Sequence, residues 1–241
     1  MPYPYYYGFD WTYLVLVLPC MILSLWASSR VNSTFKKYSQ VHSIRHITGA
    51  QAAQRVLAAN GVGGVRIERV GGNLTDHFDP KTNVIRLSDS VYNSTSVAAI
   101  GVACHEAGHA VQYAHNYGPI KLRAAIIPIT NFGSKLAMPL ILLGIVMSAL
   151  GNFSYGFVYA GIACFGFSLV FQLVTLPVEF NASGRAMKAI ETGGLLTGEE
   201  QRGAKKTLSA AAMTYVAATA VALAQLLRLI VLFGGGRRRN D

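Results

Sequence analysis

Residues 104–109 read Cys104-His105-Glu106-Ala107-Gly108-His109, and the spacing His-Glu-x-x-His is the part of this sequence best suited to chemistry. Two histidines four apart on a helix project from one face, where both imidazoles can reach one tetrahedral ion at about 2.0–2.1 Å. Glu106, next to the first histidine, stands where it can take a proton from a water polarised by that ion. The neighbours Val97, Ala98, Ile100, Gly101, Ala103, Ala107, Gly108 and Ala110 are small or apolar, as in a buried active-site helix. In 241 residues with 6 His and as many Glu, chance gives this pattern in roughly 0.4% of chains. A pair of structural histidines on a polar stripe is the bland alternative, and the full constellation favours zinc.

A catalytic zinc site takes a third protein ligand and keeps a fourth position open. The remaining glutamates are Glu68, Glu179, Glu191, Glu199 and Glu200. Glu179 stands out because it follows an apolar run directly, in TLPVEFNASGRA. Pro177 is expected in the first turn of the next helix, which would fix Glu179 early on that helix. The competing role for a carboxylate there is a salt bridge with Arg185.

The elements that must hold these residues are legible from pattern. Ser96 is suited to cap a long helix running to about Tyr117. Thr48 and Gly61 bracket a helix over roughly 49–60. VRIERV (65–70) and NVIRLS (83–88) alternate and are β-branched, which predicts two short strands paired as a β-hairpin. The intervening GGNLTDHFDPKT is dense in turn formers. Thr197 and Glu200 carry a capping-box signature for a helix that continues into the last apolar run.

The surroundings are apolar. Hydrophobic residues make up 52% of the chain and charged residues 13%, against about 25% charged in soluble domains. That excludes a disordered chain and argues against an ordinary soluble globule. Residues 11–29 are an uncharged stretch of membrane-spanning length, with Arg30, Lys36 and Lys37 after it. No Lys or Arg precedes it, so an uncleaved anchor is expected rather than a signal peptide. Further apolar runs cover about 136–151, beginning nearer 124 on a generous reading, then 155–177 and 209–233. The joint GNFSYG suits an outer-face hairpin. The expected organisation is an N-terminal tail and anchor (1–29), a cytoplasmic catalytic part (30–123), a transmembrane hairpin (124–177), cytoplasmic helices with the third ligand (178–208), and a C-terminal span with a basic tail (209–241). The positive-inside rule puts the N-terminus outside and the active site in the cytoplasm.

Four spans that start outside also end outside, and the trailing Arg237-Arg238-Arg239 disagrees with that. Gln225 and Arg228 inside the last span are expected to bond a neighbouring helix and to snorkel, respectively. Tyr5-Tyr6-Tyr7 and Trp11 are expected in an interfacial aromatic belt. The net charge of +10 fits cytoplasmic bias rather than nucleic-acid binding, because the basic residues are dispersed. Cys20, Cys104 and Cys164 form neither a disulfide framework nor a metal knuckle.

Read together, STFKKYS (33–39), TGAQAA (48–53), LTDHFDP (74–80), IRLSDSVY (85–92), SVAAIGVACHEAGHAVQYA (96–114) and LVTLPVEFNASGRA (173–186) resemble the YugP-like neutral zinc metallopeptidases, multi-pass bacterial membrane proteins. The resemblance covers nearly the whole chain. It implies a mainly α, multi-pass membrane protein with a zincin-like HExxH helix, and one Zn2+ per chain held by His105, His109 and Glu179 with Glu106 as the base. The layout is similar to that of membrane proteases related to HtpX and the CAAX prenyl proteases. Two positions depart from pattern: Asn181 replaces the Asp common in VEFDAS, and Ser183 stands where an acidic residue often supports a zinc histidine. Asp76 and Asp79 are then the alternative supporting carboxylates.

The expected reaction is hydrolysis of peptide bonds in a protein or peptide substrate. His77, His115, Tyr113, Tyr92 and Arg185 are the candidates for stabilising the oxyanion, with His77 in the DHFDP loop foremost. Strand 83–88, running toward the active-site helix, is suited to bind a substrate backbone by strand addition. A non-catalytic membrane scaffold is the runner-up, and the intact Glu106 weighs against it. A transporter is third, because the spans lack paired intramembrane charges.

Overall fold

The computed structural model describes residues 10–149 and 155–234. The tyrosine run at 5–7, residues 151–154 of the GNFSYG joint and the arginine triplet lie outside the described residues. Helices dominate, and four of them are long and apolar enough to cross a membrane: Tyr13–Ser39, Gly118–Ser148, Tyr155–Thr192 and Gly198–Gly234. The described residues divide into two compact units, 27–125 with 174–216, and 10–26 with 126–149, 155–173 and 217–234.

The first unit is built around a buried helix, and its elements follow local rules. Helix α1 spans Leu18–Ser39 and α2 spans Gly49–Ala59. Thr48 caps α2 by accepting the Gln51 N–H while the Gln51 side chain accepts the Thr48 N–H, a complete capping box. Strands β1 (Arg66–Val70), β2 (His77–Asp79) and β3 (Val84–Ser88) precede α3, Val97–Ala114. Ser96 caps α3 by accepting the Ala99 N–H. Helices α4 (Gly118–Ala149), α5 (Tyr155–Thr192) and α6 (Gly198–Gly234) follow, each contributing residues to both units.

The expected pairing of 65–70 with 83–88 as a hairpin is corrected. The sheet order is β1-β3-β2, with β1 parallel to β3 (Arg66↔Val84 to Val70↔Ser88) and β2 antiparallel to it (His77↔Arg86, Asp79↔Val84). The true hairpin turn is Asp79 to Val84. There the Asp79 carboxylate accepts the Lys81 N–H, the Thr82 hydroxyl and an Arg86 N–H, and Asn83 takes a left-handed φ of 55°. A turn so tightly tied places HFD beside β3, so β1 has only the other edge left. β3 is central and buried, with Val84, Ile85 and Leu87 fully inside.

Two other expectations change. The third apolar run does not end at Pro177, which lies inside the continuous α5. Proline removes one helical hydrogen bond, but Val178, Ala182, Ala186 and Ile190 are all fully buried. That unbroken i, i+4 stripe carries the helix through. At the start of α6 only half of the predicted box forms. Glu200 accepts the Thr197 N–H at 2.9 Å, but the Thr197 hydroxyl also donates to Glu200, and the second Glu200 oxygen accepts the Ile44 N–H at 2.7 Å.

In the other unit a π-helical turn over Tyr13–Val17 precedes Pro19. Arg228 does more than snorkel. Its Nε donates to Asp10 Oδ2 at 2.9 Å, and its guanidinium lies 5.4 Å from the Tyr13 ring centre. Gln225 lines an apolar cavity with Ile141, Phe165 and Leu229. Helices α4 and α5 approach closely there, since a Cβ on Gly161 would come within 2.7 Å of the Ala137 carbonyl oxygen.

Close approach also governs α3. A Cβ on Gly108 would sit 2.8 Å from the carbonyl oxygen of Ala182 on α5, whereas one on Gly184 would meet nothing. Gly108→Ala should therefore destabilise the protein by about 1–3 kcal/mol through overpacking. Gly184→Ala should be neutral or stabilising by up to about 1 kcal/mol through helix propensity. Thermal unfolding of the purified variants in detergent checks the contrast, and equal effects would contradict it.

Candidate metal centre

The α3–α5 approach brings the three predicted ligands together. His105 and His109 lie one turn apart on α3, their ring centres 4.7 Å from each other. Glu179 comes from α5, with Oε2 3.3 Å from His105 Nε2 and 3.6 Å from His109 Nε2. One donor atom from each residue falls within 4.8 Å of the others. Tetrahedral bonds of about 2.0–2.1 Å separate neighbouring donors by about 3.3–3.4 Å, so the set is dimensioned for one small divalent ion.

Hydrogen bonding gives an independent test of that fit. Glu179 is 3% exposed. Its Oε1 accepts from Arg123 Nη1 at 2.9 Å, while its buried Oε2 has no hydrogen-bond partner. An unsatisfied buried polar atom costs on the order of 1–3 kcal/mol, and this one is the oxygen facing the two imidazoles. A cation among the three donors would satisfy it. The alternative salt bridge to Arg185 does not form; the cation on Glu179 is Arg123, which the sequence reading did not single out.

The supporting partners are neutral. Ser183 Oγ lies 3.1 Å from His105 Nδ1, and Gln112 Oε1 lies 3.0 Å from His109 Nδ1. The Gln112 amide nitrogen in turn reaches the Val178 carbonyl at 2.8 Å and Asn181 Oδ1 at 2.9 Å, and Arg185 Nε donates to that same oxygen at 2.8 Å. Neither Asp76 nor Asp79 supports a histidine. Asp76 accepts the Ser88 N–H and hydroxyl, and Asp79 belongs to the β2–β3 turn. Position 183, read as a departure from pattern, thus supplies a direct partner of His105.

Beside the ligand set opens a cavity of about 380 Å³, lined by Asp76, His105, Glu106, Glu179, Ser183 and Tyr215 among others. Glu106 is 8% exposed. Burial pushes the Asp76 carboxyl pKa up against the two Ser88 hydrogen bonds, and the Glu106 charge adds to the rise. Tyr215, on α6, lines the cavity together with Glu179. No sequence signal pointed to Tyr215, which stands in a long apolar helix. Gln112 had one: it is the polar residue three positions after His109 on the same apolar helix.

The predicted oxyanion candidates do not line this cavity. His77 is exposed on β2, with Nδ1 2.9 Å from the Thr75 carbonyl. Tyr113 packs edge-on against Phe78, His115 caps the end of α3, Tyr92 packs against the core, and Arg185 holds Asn181. Burial raises the Cys104 thiol to about 12, which leaves it inert packing.

The family model described as "Putative neutral zinc metallopeptidase" matches residues 13–234. The chain is 45% identical over 228 residues, 95% of its own length and 99% of the other's, to a Bacillus subtilis (strain 168) protein titled "Putative membrane protease YugP". No solved structure matches.

Burial disfavours charge on the His109 imidazole, but Glu179 and Glu106 outweigh it and lift its pKa above the ordinary 6.5. A proton therefore competes with metal at a higher pH than for a free histidine. Zinc affinity of the purified protein should begin to fall above pH 6.5 and keep falling as the solution is acidified, and Glu179→Ala should bind sharply less zinc at every pH. Elemental analysis and chelator competition measure both; full zinc content in Glu179→Ala would remove Glu179 from the site.

Proposed function

The chain belongs to the neutral zinc metallopeptidase family, and from that premise we propose that it is a membrane-bound zinc metalloendopeptidase that cleaves extended protein segments on the cytoplasmic side. The observation that carries this reading is Glu106. It is a buried carboxylate opening on the cavity beside the ligand set, and among the described residues no side chain donates it a hydrogen bond or ion pair. Buried polar groups are normally satisfied by the protein. A carboxylate left free to accept is suited to a proton that arrives with the substrate and water. A non-catalytic scaffold would gain nothing from keeping it.

In the proposed mechanism His105, His109 and Glu179 hold one zinc ion. Bound there, zinc supplies a Lewis acid that polarises the scissile carbonyl and makes the attacking water more acidic. Glu106 accepts a proton from that water as its oxygen attacks the carbonyl carbon, then delivers the proton to the leaving amine as the C–N bond breaks. Arg123 occupies Glu179 Oε1, which leaves Oε2 to face the ion. The Tyr215 hydroxyl is the donor we propose for the developing oxyanion. His77 is the weaker alternative: it follows Asp76 in sequence but is exposed and does not line the cavity.

Substrate presentation shifts from the strand first expected. β3 is flanked on both sides, so it has no free edge for strand addition. β2 has β3 on one side only, and Leu74 and Asp76, just before it, line the cavity. An extended segment added to the open edge of β2 would reach the cavity with its backbone hydrogen-bonded. The cytoplasmic assignment rests on charge. Among the described residues, every Lys and Arg except Lys135 and Arg228 falls in the unit that carries the ligand set, the bias expected of a cytoplasmic face.

Glu106→Gln should lower proteolysis of an unfolded reporter protein by about 10²–10⁴-fold with zinc content and melting temperature unchanged. Unaltered cleavage would return the protein to the scaffold reading. In the same assay Tyr215→Phe should reduce kcat by about 10–10³-fold with KM little changed, and His77→Ala should be near wild type. The reverse order would give the oxyanion role to His77.

A further inference from the structure

Resting on the ligand role proposed for His109, we infer that Gln112 is a positioning residue that fixes the His109 tautomer through a hydrogen-bond chain running Arg185–Asn181–Gln112–His109. Two ends of this chain cannot reverse their roles. The Val178 carbonyl only accepts, and the Arg185 Nε–H only donates. The end of the Gln112 amide 2.8 Å from the Val178 oxygen must therefore be its NH2. The Asn181 atom 2.8 Å from Arg185 Nε must be its oxygen, and the same oxygen accepts from the Gln112 NH2 at 2.9 Å. Both constraints agree and leave the Gln112 oxygen facing His109 Nδ1 at 3.0 Å.

That oxygen can only accept, so Nδ1 carries the ring proton. A neutral imidazole has one N–H. In the neutral ring, the form that binds metal, Nε2 is therefore the lone pair, and it lies 3.6 Å from the unsatisfied Glu179 Oε2. Two acceptors facing each other in a buried site repel until a cation stands between them. The chain thus prepares His109 to bind metal through Nε2 before any metal arrives. It does so without adding negative charge to a site that already holds Glu106, Glu179 and Asp76. Gln112 is fully buried, so water cannot substitute for its oxygen.

The test is zinc affinity by chelator competition on the full-length, detergent-purified protein. Gln112→Met keeps the length of the side chain and removes the acceptor. Its affinity should fall about 10–100-fold, whereas Asn181→Asp, which still accepts from Gln112 and Arg185, should stay within about threefold of wild type. A Gln112→Met protein that binds zinc as tightly as wild type overturns the inference, as does an Asn181→Asp protein that loses as much as Gln112→Met. Nitrogen-15 histidine spectra of zinc-loaded wild type supply a second readout that needs no variant to fold. Metal on His109 Nε2 with a proton on Nδ1 is expected, and metal on Nδ1 overturns the inference. Failure of the wild type itself to bind zinc would instead sink the proposed function, a result distinct from any difference among the variants.

Discussion

The contact on which this site depends is between two backbones. Where α3 passes α5, Gly108 leaves no room for a side chain against the Ala182 carbonyl. That closeness lets a glutamate on one helix reach two histidines on the other. A methyl group would push the helices apart by an amount comparable to a hydrogen-bond tolerance, and the donor separations of 3.3 and 3.6 Å would open with it. The small residues of α3, buried along most of its length, extend the same logic. They give up side-chain contact area so that neighbouring backbones can come near, as α6 does where Ala204 faces Gly101.

Electrostatics then sets which groups may stand around that contact. Three carboxylates line one partly buried cavity, and burying like charges together is costly unless each has its own compensation. Glu179 has the Arg123 guanidinium and two imidazoles. Asp76 has two hydrogen bonds from Ser88. Glu106 has neither kind of partner among the described residues. Further acids behind the histidines would add to the load, and the chain instead uses a hydroxyl and two amides there. Asn181 and Ser183, which looked like departures from a pattern, fit this local charge balance.

How far the sequence could be read depended on the range of the interaction involved. Motifs complete within one turn of helix were legible: the histidine pair with Glu106, the Thr48 and Ser96 caps and the two β-branched strands all occur as expected. Glu179 was legible because an acid directly after an apolar run is rare. Errors arose where a distant partner outvoted a local preference. Pro177 looks like a helix start, yet the buried stripe from Val178 to Ile190 belongs to one helix with the preceding run. The two strongest strands looked like a hairpin, yet the Asp79 turn commits three modest residues, His77 to Asp79, to that role. Tyr215 and Arg123 reach the site only through folding, and no local spacing advertises them.

The long helices exceed what a membrane crossing requires. Crossing about 30 Å of hydrocarbon takes about 20 residues, but α5 has 38 residues and α6 has 37. On α5 the surplus carries Glu179, Asn181, Ser183 and Arg185. A catalytic domain attached by flexible linkers would have to set these side chains by loop packing alone. On α5 the buried stripe Val178, Ala182, Ala186 and Ile190 packs beside these side chains and fixes their rotation about the helix axis. In α5, rotation by one residue, about 100°, would carry Glu179 away from both histidines. Pro177, two residues before it, is therefore tolerated only because the packed stripe beyond it, from Val178 onward, resists that rotation. The packed stripe of α5 thus frames the candidate metal centre.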